Sequence, residues 1–286
     1  AHAVFWSVIS PIAVRIVPDR YRSIALSMVV TGSSIAMILG MPLGRVIGLH
    51  VGWRMPFLSI GVFSGLTFLY IARRLPKVPS GGGFSPKKLP ELLRHKGIMG
   101  LYLFTLLISS AIYVAYSYIE PLLKQVSLMP DDWVTTALMV FGGAGLLGSI
   151  AFSKYYNRNR KLFITVNVAA MALCLLLLYP VSSGFLPVIV LLAVWGATAT
   201  AYNVAMQSNM ILVTTPESTP VAMSIFSGIF NLGIGSGAFF GGAICSDLSI
   251  SYIGLAGGVL ALIGLVYWVA RLGNRLEPKN TLDKYL

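Results

Sequence analysis

Residues 24–44 read IALSMVVTGSSIAMILGMPLG, and residues 221–241 read VAMSIFSGIFNLGIGSGAFFG. Both stretches are apolar, studded with glycine and as long as the roughly 20 residues that an α-helix needs to cross a bilayer. At a constant offset of 197 residues, Ala25 matches Ala222, Ser27 matches Ser224, Gly40 matches Gly237 and Gly44 matches Gly241. The register runs on without a gap into the next apolar stretch. There Gly61 matches Gly258, Val62 matches Val259, Tyr70 matches Tyr267, Arg74 matches Arg271 and Leu75 matches Leu272. Glycine alone would be weak evidence, because it is common in membrane helices. A fixed offset held over two helices and the loop between them is stronger. Internal repeats of this size mark secondary transporters built as two related halves.

The rest of the chain fits that reading. Of its 286 residues, 56% are hydrophobic and only 10% charged, against about 25% charged in an average soluble domain, and the mean hydropathy is +0.81. Nine spans are expected, at about 1–17, 22–45, 54–73, 98–122, 133–153, 162–181, 185–211, 219–245 and 251–271. Their length predicts helices, since barrel strands need only about ten residues and alternate in polarity. Cys174 and Cys245 sit inside apolar spans and read as small core residues, not as a disulfide or metal pair. No cofactor and no metal are expected.

The net charge of +12 reports topology. With the C-terminus inside, only Arg45, Arg54 and Lys124 fall outside, and the other eighteen of the 21 Lys and Arg lie inside. This is the positive-inside bias, so a nucleic-acid partner is not implied. Membrane lipids are the expected surroundings. Residues 75–97, LPKVPSGGGFSPKKLPELLRHKG, cannot make a span and read as a cytoplasmic linker. The expected organisation is therefore 1–74 as the remainder of an N-terminal bundle, 75–97 as linker, and 98–286 as a complete six-helix bundle with a short cytoplasmic tail. The repeat pairs the first three spans with the last three and leaves spans four to six without upstream partners. It thus expects a twelve-span parent of which this chain holds nine helices.

Two six-helix halves around a central loop is the layout of the major facilitator superfamily, and several motifs resemble it. GWRMPF at 52–57 resembles the signature that opens the sixth helix of many members. Gly32, Gly40, Pro42 and Gly44 resemble the fifth-helix glycine-proline motif of the antiporters, with Met41 where a Gly commonly precedes the Pro. SKYYNRNRK at 153–161 stands in the loop that mirrors the family's basic motif. AHAVFWS, MPLGRVIG, AYSYIEP, FGGAGLLGS and FSGIFNLGIGSGA together look like the bacterial sugar efflux transporters of the drug/proton antiporter group. The resemblance implies an all-α, multi-pass protein of the bacterial inner membrane that exports a sugar by alternating access, coupled to protons, as a monomer. It also implies that helices one, four, seven and ten line a central cavity.

On the surviving lining spans, His2 and Trp6 share a face at i, i+4, as do Tyr113, Tyr116 and Glu120 at i, i+3, i+7. Tyr202 lies four before Met206, and Asn203 and Gln207 form another i, i+4 pair. Amides and hydroxyls both donate and accept hydrogen bonds, and aromatic faces suit the C–H face of a sugar ring, so these residues are substrate-binding candidates. The alternatives are interfacial anchoring by Tyr and Trp, and helix-to-helix bonding by Asn and Gln, the reading given to Asn167 and Asn231. His2 and Glu120 are the titratable candidates for proton coupling, with Glu120 also placed to anchor a helix end. Gly32, Gly40 and Gly44, with Gly233, Gly237 and Gly241, are expected to let helices approach across the interface between the halves, where rocking would gate access. There is no HExxH, no phosphate loop and no nucleophile elbow with its sheet, so an enzyme or ATP-driven pump is not expected. A multidrug/proton antiporter and a non-transporting membrane receptor remain as alternatives.

Alternating access needs two bundles closing on a shared site. These 286 residues expressed alone are therefore expected to insert in a membrane without transporting. Sugar efflux from vesicles by the isolated chain, at a rate like that of a twelve-span parent, would refute the expectation.

Overall fold

In the computed structural model the described residues are almost all helical, and there is no strand among them. The structure describes residues 21–75, 89–215 and 218–276, together with Ile9, 12–13 and 16–18. Seven helices among them are long and apolar enough to cross a membrane. They correspond to seven of the nine expected spans. The expected span at 1–17 lies outside the described residues but for a few positions. The span expected at 22–45 is a helix over Arg22–Val51, whose 30 residues would reach about 45 Å.

The chain divides into two compact units, Val4–Gly83 and Phe84–Leu286, the latter joined by Ala1–Ala3. The first unit holds α1 (Arg22–Val51) and α2 (Arg54–Arg74). Pro42 lies inside α1, which stops at Gly52, where φ is +102° and the N–H bonds to the Gly48 carbonyl. That backbone conformation favours glycine, and it explains the first residue of GWRMPF. The next residues build the corner. Trp53 packs its ring edge-on against Phe57 at 6.4 Å, and the Arg54 guanidinium lies 4.5 Å from the Trp53 ring centre. None of the residues of α2 is buried.

The second unit runs α3 (Leu89–Arg94), α4 (Lys96–Tyr116), α5 (Ile119–Gln125), α6 (Asp131–Tyr155), α7 (Arg160–Leu177), α8 (Phe185–Val213), α9 (Thr219–Asp247) and α10 (Ile253–Tyr267). A π-helical segment, Trp268–Leu272, and a last turn, α11 (Gly273–Leu276), follow. The segment read as linker thus contains a short helix, α3, whose Leu92 is buried. The span expected at 98–122 is two helices, α4 and α5, separated at Ser117 and Tyr118. His95 Nδ1 accepts from the Ile98 N–H at the start of α4, and Asn159 Oδ1 accepts from the Leu162 N–H at the start of α7. Each cap satisfies a donor that the first helical turn leaves free. The helix bounds also follow the repeat. Shifted by 197 residues, Arg22 falls on Thr219, the first residue of α9, and Arg74 falls on Arg271 in the segment that ends α10.

Within this unit α6 packs most extensively on α8, α4 on α9, and α10 against both α4 and α7. Lipid tails give helices no hydrophobic reason to associate, so close van der Waals approach has to do it. Glycine supplies that approach. A Cβ at Gly196 of α8 would lie 2.0 Å from the Phe141 carbonyl oxygen of α6, and one at Gly148 of α6 would lie 2.0 Å from the Ala197 carbonyl oxygen of α8. The two helices therefore touch backbone to backbone at both places. The core around them is apolar, with Leu101, Phe104, Ile108, Leu192, Trp195 and Met206 fully buried.

A valine at Gly196 has to move the α6 backbone and is expected to cost about 3 kcal/mol or more. Gly143→Ala, where nothing lies within 4 Å of the added carbon, should stay within about 1 kcal/mol of the parent. Thermal unfolding of the two variants in one detergent checks this, and equal stability of both would contradict the packing described.

Candidate functional site

The half-buried face of α4 carries Tyr113 and Tyr116, whose rings meet edge to face at 5.6 Å. Tyr113 continues edge-on to Phe230 of α9 at 6.3 Å. Tyr116 lies 4.8 Å from Phe141 of α6, tilted by 31°, and Trp195 of α8 stands edge-on to both, at 6.1 Å from Tyr116 and 5.3 Å from Phe141. Four helices thus converge on one aromatic run. Phe141, Tyr113, Tyr116 and Phe230 are partly exposed, and Trp195 behind them is fully buried. Edge-to-face pairs are each worth about 0.5–1.5 kcal/mol beyond their burial, so the run is a stiff surface.

The glycines set where these rings stand. A Cβ at Gly237 of α9 would lie 2.6 Å from the Ser110 carbonyl oxygen and 3.0 Å from Tyr113 Cβ. One at Gly233 would collide with Ser109, and one at Gly241 would lie 2.5 Å from the Val114 carbonyl oxygen. All three glycines seat α9 on α4 of their own unit. The expectation that they face the other half is corrected here, because α4 fills the space their missing side chains leave. Beside them Ser110 Oγ and Ser236 Oγ share a hydrogen bond of 2.8 Å, and Tyr118 donates to the Ala238 carbonyl at 2.9 Å. Among the described residues no atom lies within 4 Å of a Cβ added at Gly32, Gly40 or Gly44 of α1, and Pro42 is buried.

On α8, Asn203 and Gln207 are half-buried, and Gln207 Nε2 donates to Asn203 Oδ1 at 2.5 Å. The i, i+4 spacing puts the two amides on one face. Their bond uses one donor and one acceptor and leaves hydrogen-bonding capacity on both side chains. Tyr202 is placed differently from the expectation. It is 1% exposed and packs edge-on against Phe104 at 5.8 Å, while Phe104 stacks on Trp268 at 5.1 Å. One residue before Asn203 on a helix means about 100° of rotation, which turns Tyr202 into the core. Its hydroxyl is buried beside the hydroxyl of Thr105, too loosely for a hydrogen bond of ordinary geometry.

Glu120 belongs to the end of the bundle. It lies in the first turn of α5 and pairs with Lys124 at 3.5 Å, and Lys124 also reaches Asp131 at 2.8 Å. With Lys124 about a third exposed, such pairs contribute at most about 1 kcal/mol. Their use is to tie α5 to the start of α6. Asn167 bonds back to the Phe163 carbonyl on its own helix at 2.8 Å, an intrahelical bond where an interhelical one was expected. Asn231 makes the same kind of bond to Ser227 at 2.7 Å. His2 and Trp6 lie outside the described residues. Phe141, Trp195 and Phe230 were missed by sequence reasoning, as were Ser110 and Ser236. Trp195 stands seven residues before Tyr202, a same-face spacing that a search confined to polar pairs passes over. An apolar groove of about 530 Å³ between α7 and α8, lined by Leu173, Cys174, Leu177, Leu186, Val190 and Val194 among others, contains none of the candidates. It offers acyl chains a surface and a polar ligand no hydrogen bond.

At the other end of α6, the turn within SKYYNRNRK places the Arg160 guanidinium 5.7 Å from the ring centre of Tyr156, which is buried. Burial pushes the Tyr156 phenol above its ordinary value, and the charge of Arg160 pulls the other way. Lys161 Nζ donates to Asn274 Oδ1, and Trp268 Nε1 donates to Thr165 Oγ1 at 3.2 Å, which fastens the last turns of the chain to α7.

A helical, multi-pass membrane protein with an internal repeat and a half-buried polar and aromatic surface belongs to the transporters in kind. The model of the Major Facilitator Superfamily matches residues 1–218 and, overlapping them, residues 159–284. The chain belongs to the Major Facilitator Superfamily. It is therefore of a family of secondary transporters of small molecules, embedded in the membrane, and not of a family of enzymes.

The loose contact of its hydroxyl with Thr105 predicts the behaviour of Tyr202. Tyr202→Phe should change stability by no more than about 1 kcal/mol, the net worth of one weak hydrogen bond. Tyr202→Ala should cost about 3–5 kcal/mol through the cavity it opens. Unfolding followed by near-ultraviolet circular dichroism measures both. A loss of several kcal/mol in Tyr202→Phe would show that its hydroxyl is held by more than the contact with Thr105.

Proposed function

We propose that this transporter exports a sugar or sugar-like metabolite from the bacterial cytoplasm across the inner membrane in exchange for protons, working as a monomer with its C-terminus in the cytoplasm. The observation that carries the reading is the amide pair Asn203–Gln207, half-buried on α8 in the same unit as the aromatic run of α4, α6 and α9. A ligand with many hydroxyls needs partners that donate and accept, and amides do both. It also needs an aromatic face for the C–H side of its ring, which Tyr116 and Phe141, tilted by 31° to each other, can offer. Polar side chains at bilayer depth are costly and usually serve a pathway or bind a neighbour. These two amides keep capacity beyond their mutual bond.

Coupling to protons rests on the resemblance to the antiporters and on His2, whose side chain titrates near neutral pH. Glu120 is the weaker candidate, since its ion pair with Lys124 gives it a structural task. A second reading has an observation of its own. The aromatic run is long enough to hold a planar apolar compound, which favours a multidrug/proton antiporter over a receptor.

Asn203→Leu and Gln207→Leu, made in the transporter as the cell produces it, should each reduce sugar efflux by roughly tenfold without lowering membrane expression, the loss expected for one or two hydrogen bonds. Unchanged efflux kinetics in both variants would sink the sugar reading. Collapsing the pH gradient across proteoliposomes should abolish uphill export. Export sustained by a sodium gradient alone would show that the coupling ion is wrong, and full gradient-driven export by His2→Ala would remove that residue from the coupling.

A further inference from the structure

The turn between α6 and α7 holds four cations in eight residues, Lys154, Arg158, Arg160 and Lys161. Two of them are already engaged by the protein. Arg160 covers Tyr156, and Lys161 bonds Asn274. The other two, Lys154 and Arg158, are exposed and converge on one ring. Lys154 Nζ lies 5.4 Å and the Arg158 guanidinium carbon 5.6 Å from the centre of Tyr155, itself 45% exposed. We propose that Lys154, Tyr155 and Arg158 form a binding site for the phosphate of an anionic phospholipid in the leaflet that this turn faces.

Three features of the molecule point to that ligand. The ring orders the two charges without neutralising them, since the attraction is to the quadrupole of the aromatic face. Less freedom is then lost when an anion binds. No Asp or Glu stands in the sequence between Asp132 and Glu217, so α6, the turn, α7 and α8 supply no carboxylate to the cluster. Asp131 and Asp132 begin α6, and the 25 residues of that helix carry the turn about 37 Å away from them. Lastly, Lys154 is in the last turn of one membrane-spanning helix and Arg160 opens the next, so the cluster sits at the bilayer boundary. That is the level of lipid phosphates and the level at which tyrosine rings settle. A soluble anion would find the same charges, but only a lipid is held at that depth by its own tails. Arginine can fork two N–H groups onto a phosphate while lysine adds a point charge, so the pair is chemically complementary to a phosphodiester.

The test uses the whole chain in micelles that contain equal amounts of phosphatidylcholine and phosphatidylglycerol, with the lipids retained on the protein counted by native mass spectrometry. The parent should retain phosphatidylglycerol about tenfold over phosphatidylcholine, and the variant K154Q/R158Q should fall towards parity, given the attraction of each basic residue to an anionic surface. The charge-keeping K154R/R158K should behave as the parent. R73Q/R74Q, which removes two arginines from the end of α2, should also keep the preference. If the double variant does not fold, the single variants K154Q and R158Q carry the test, each with about a threefold loss expected. The proposal is overturned if K154Q/R158Q keeps the full preference. It is equally overturned if R73Q/R74Q loses as much, or if inorganic phosphate at the lipid's concentration abolishes retention.

Discussion

The second unit depends on backbone meeting backbone at glycine. In a bilayer the helices cannot be driven together by water, so their association rests on how closely they approach. At Gly196 and Gly148 the α6 and α8 backbones come so near that even one carbon would overlap a carbonyl. At Gly237 and Gly241 the same holds between α9 and α4, and at Gly233 the added carbon would overlap the Ser109 side chain of α4. These contacts do more than hold the bundle. Gly196 fixes the backbone of Phe141, and Gly237 makes room for Tyr113, so the aromatic surface is placed by residues that have no side chain. A transporter needs a ligand surface that keeps its shape while whole bundles move. Building it on backbone contacts is a physical way to obtain that stiffness.

Polar chemistry is then added sparingly to this frame. Several hydroxyls in the spans bond to a carbonyl one turn back, as Thr165 does to Lys161 and Ser109 to Thr105. Their donors are used locally and are not offered to a ligand. Asn203 and Gln207 differ because they bond each other and are only half-buried. The serine pair Ser110–Ser236 crosses between α4 and α9 next to the glycine seam, so it reads as part of the packing. The division between residues that hold helices and residues that can meet a substrate follows from hydrogen-bond geometry more than from residue type.

Much of this architecture was legible in the sequence. The apolar spans, the repeat at 197 residues and the corner at Gly52 each follow from a local rule, and the helix bounds of α9 and α10 track those of α1 and α2. The site was legible only in part. A spacing of i, i+4 finds the pair Asn203–Gln207, but it cannot say which face of α8 looks inward, and so it also selected Tyr202, which is core. The same limit applies to Gly233, Gly237 and Gly241, whose pattern announces close approach without naming the partner. Phe141, Trp195 and Phe230 come from three different helices, and no pattern within one helix reveals that their rings meet. Glu120 stood out as one of two titratable groups on the lining spans, near the outer end of its span. The break at Ser117 puts it in a separate helix, where Lys124 and Asp131 make it part of an ion-pair strap.

The central claim is that a sugar crosses the membrane by binding to a carrier whose site is formed in part by α4 and α8. Counterflow tests it most directly, because it needs no knowledge of the coupling ion. Proteoliposomes holding the transporter are loaded with a high concentration of unlabelled sugar and diluted into a trace of the labelled sugar, with no ion gradient imposed. An alternating-access carrier predicts a transient accumulation of label above its outside concentration. Label that only equilibrates, or does not enter, for every sugar tried would contradict the account.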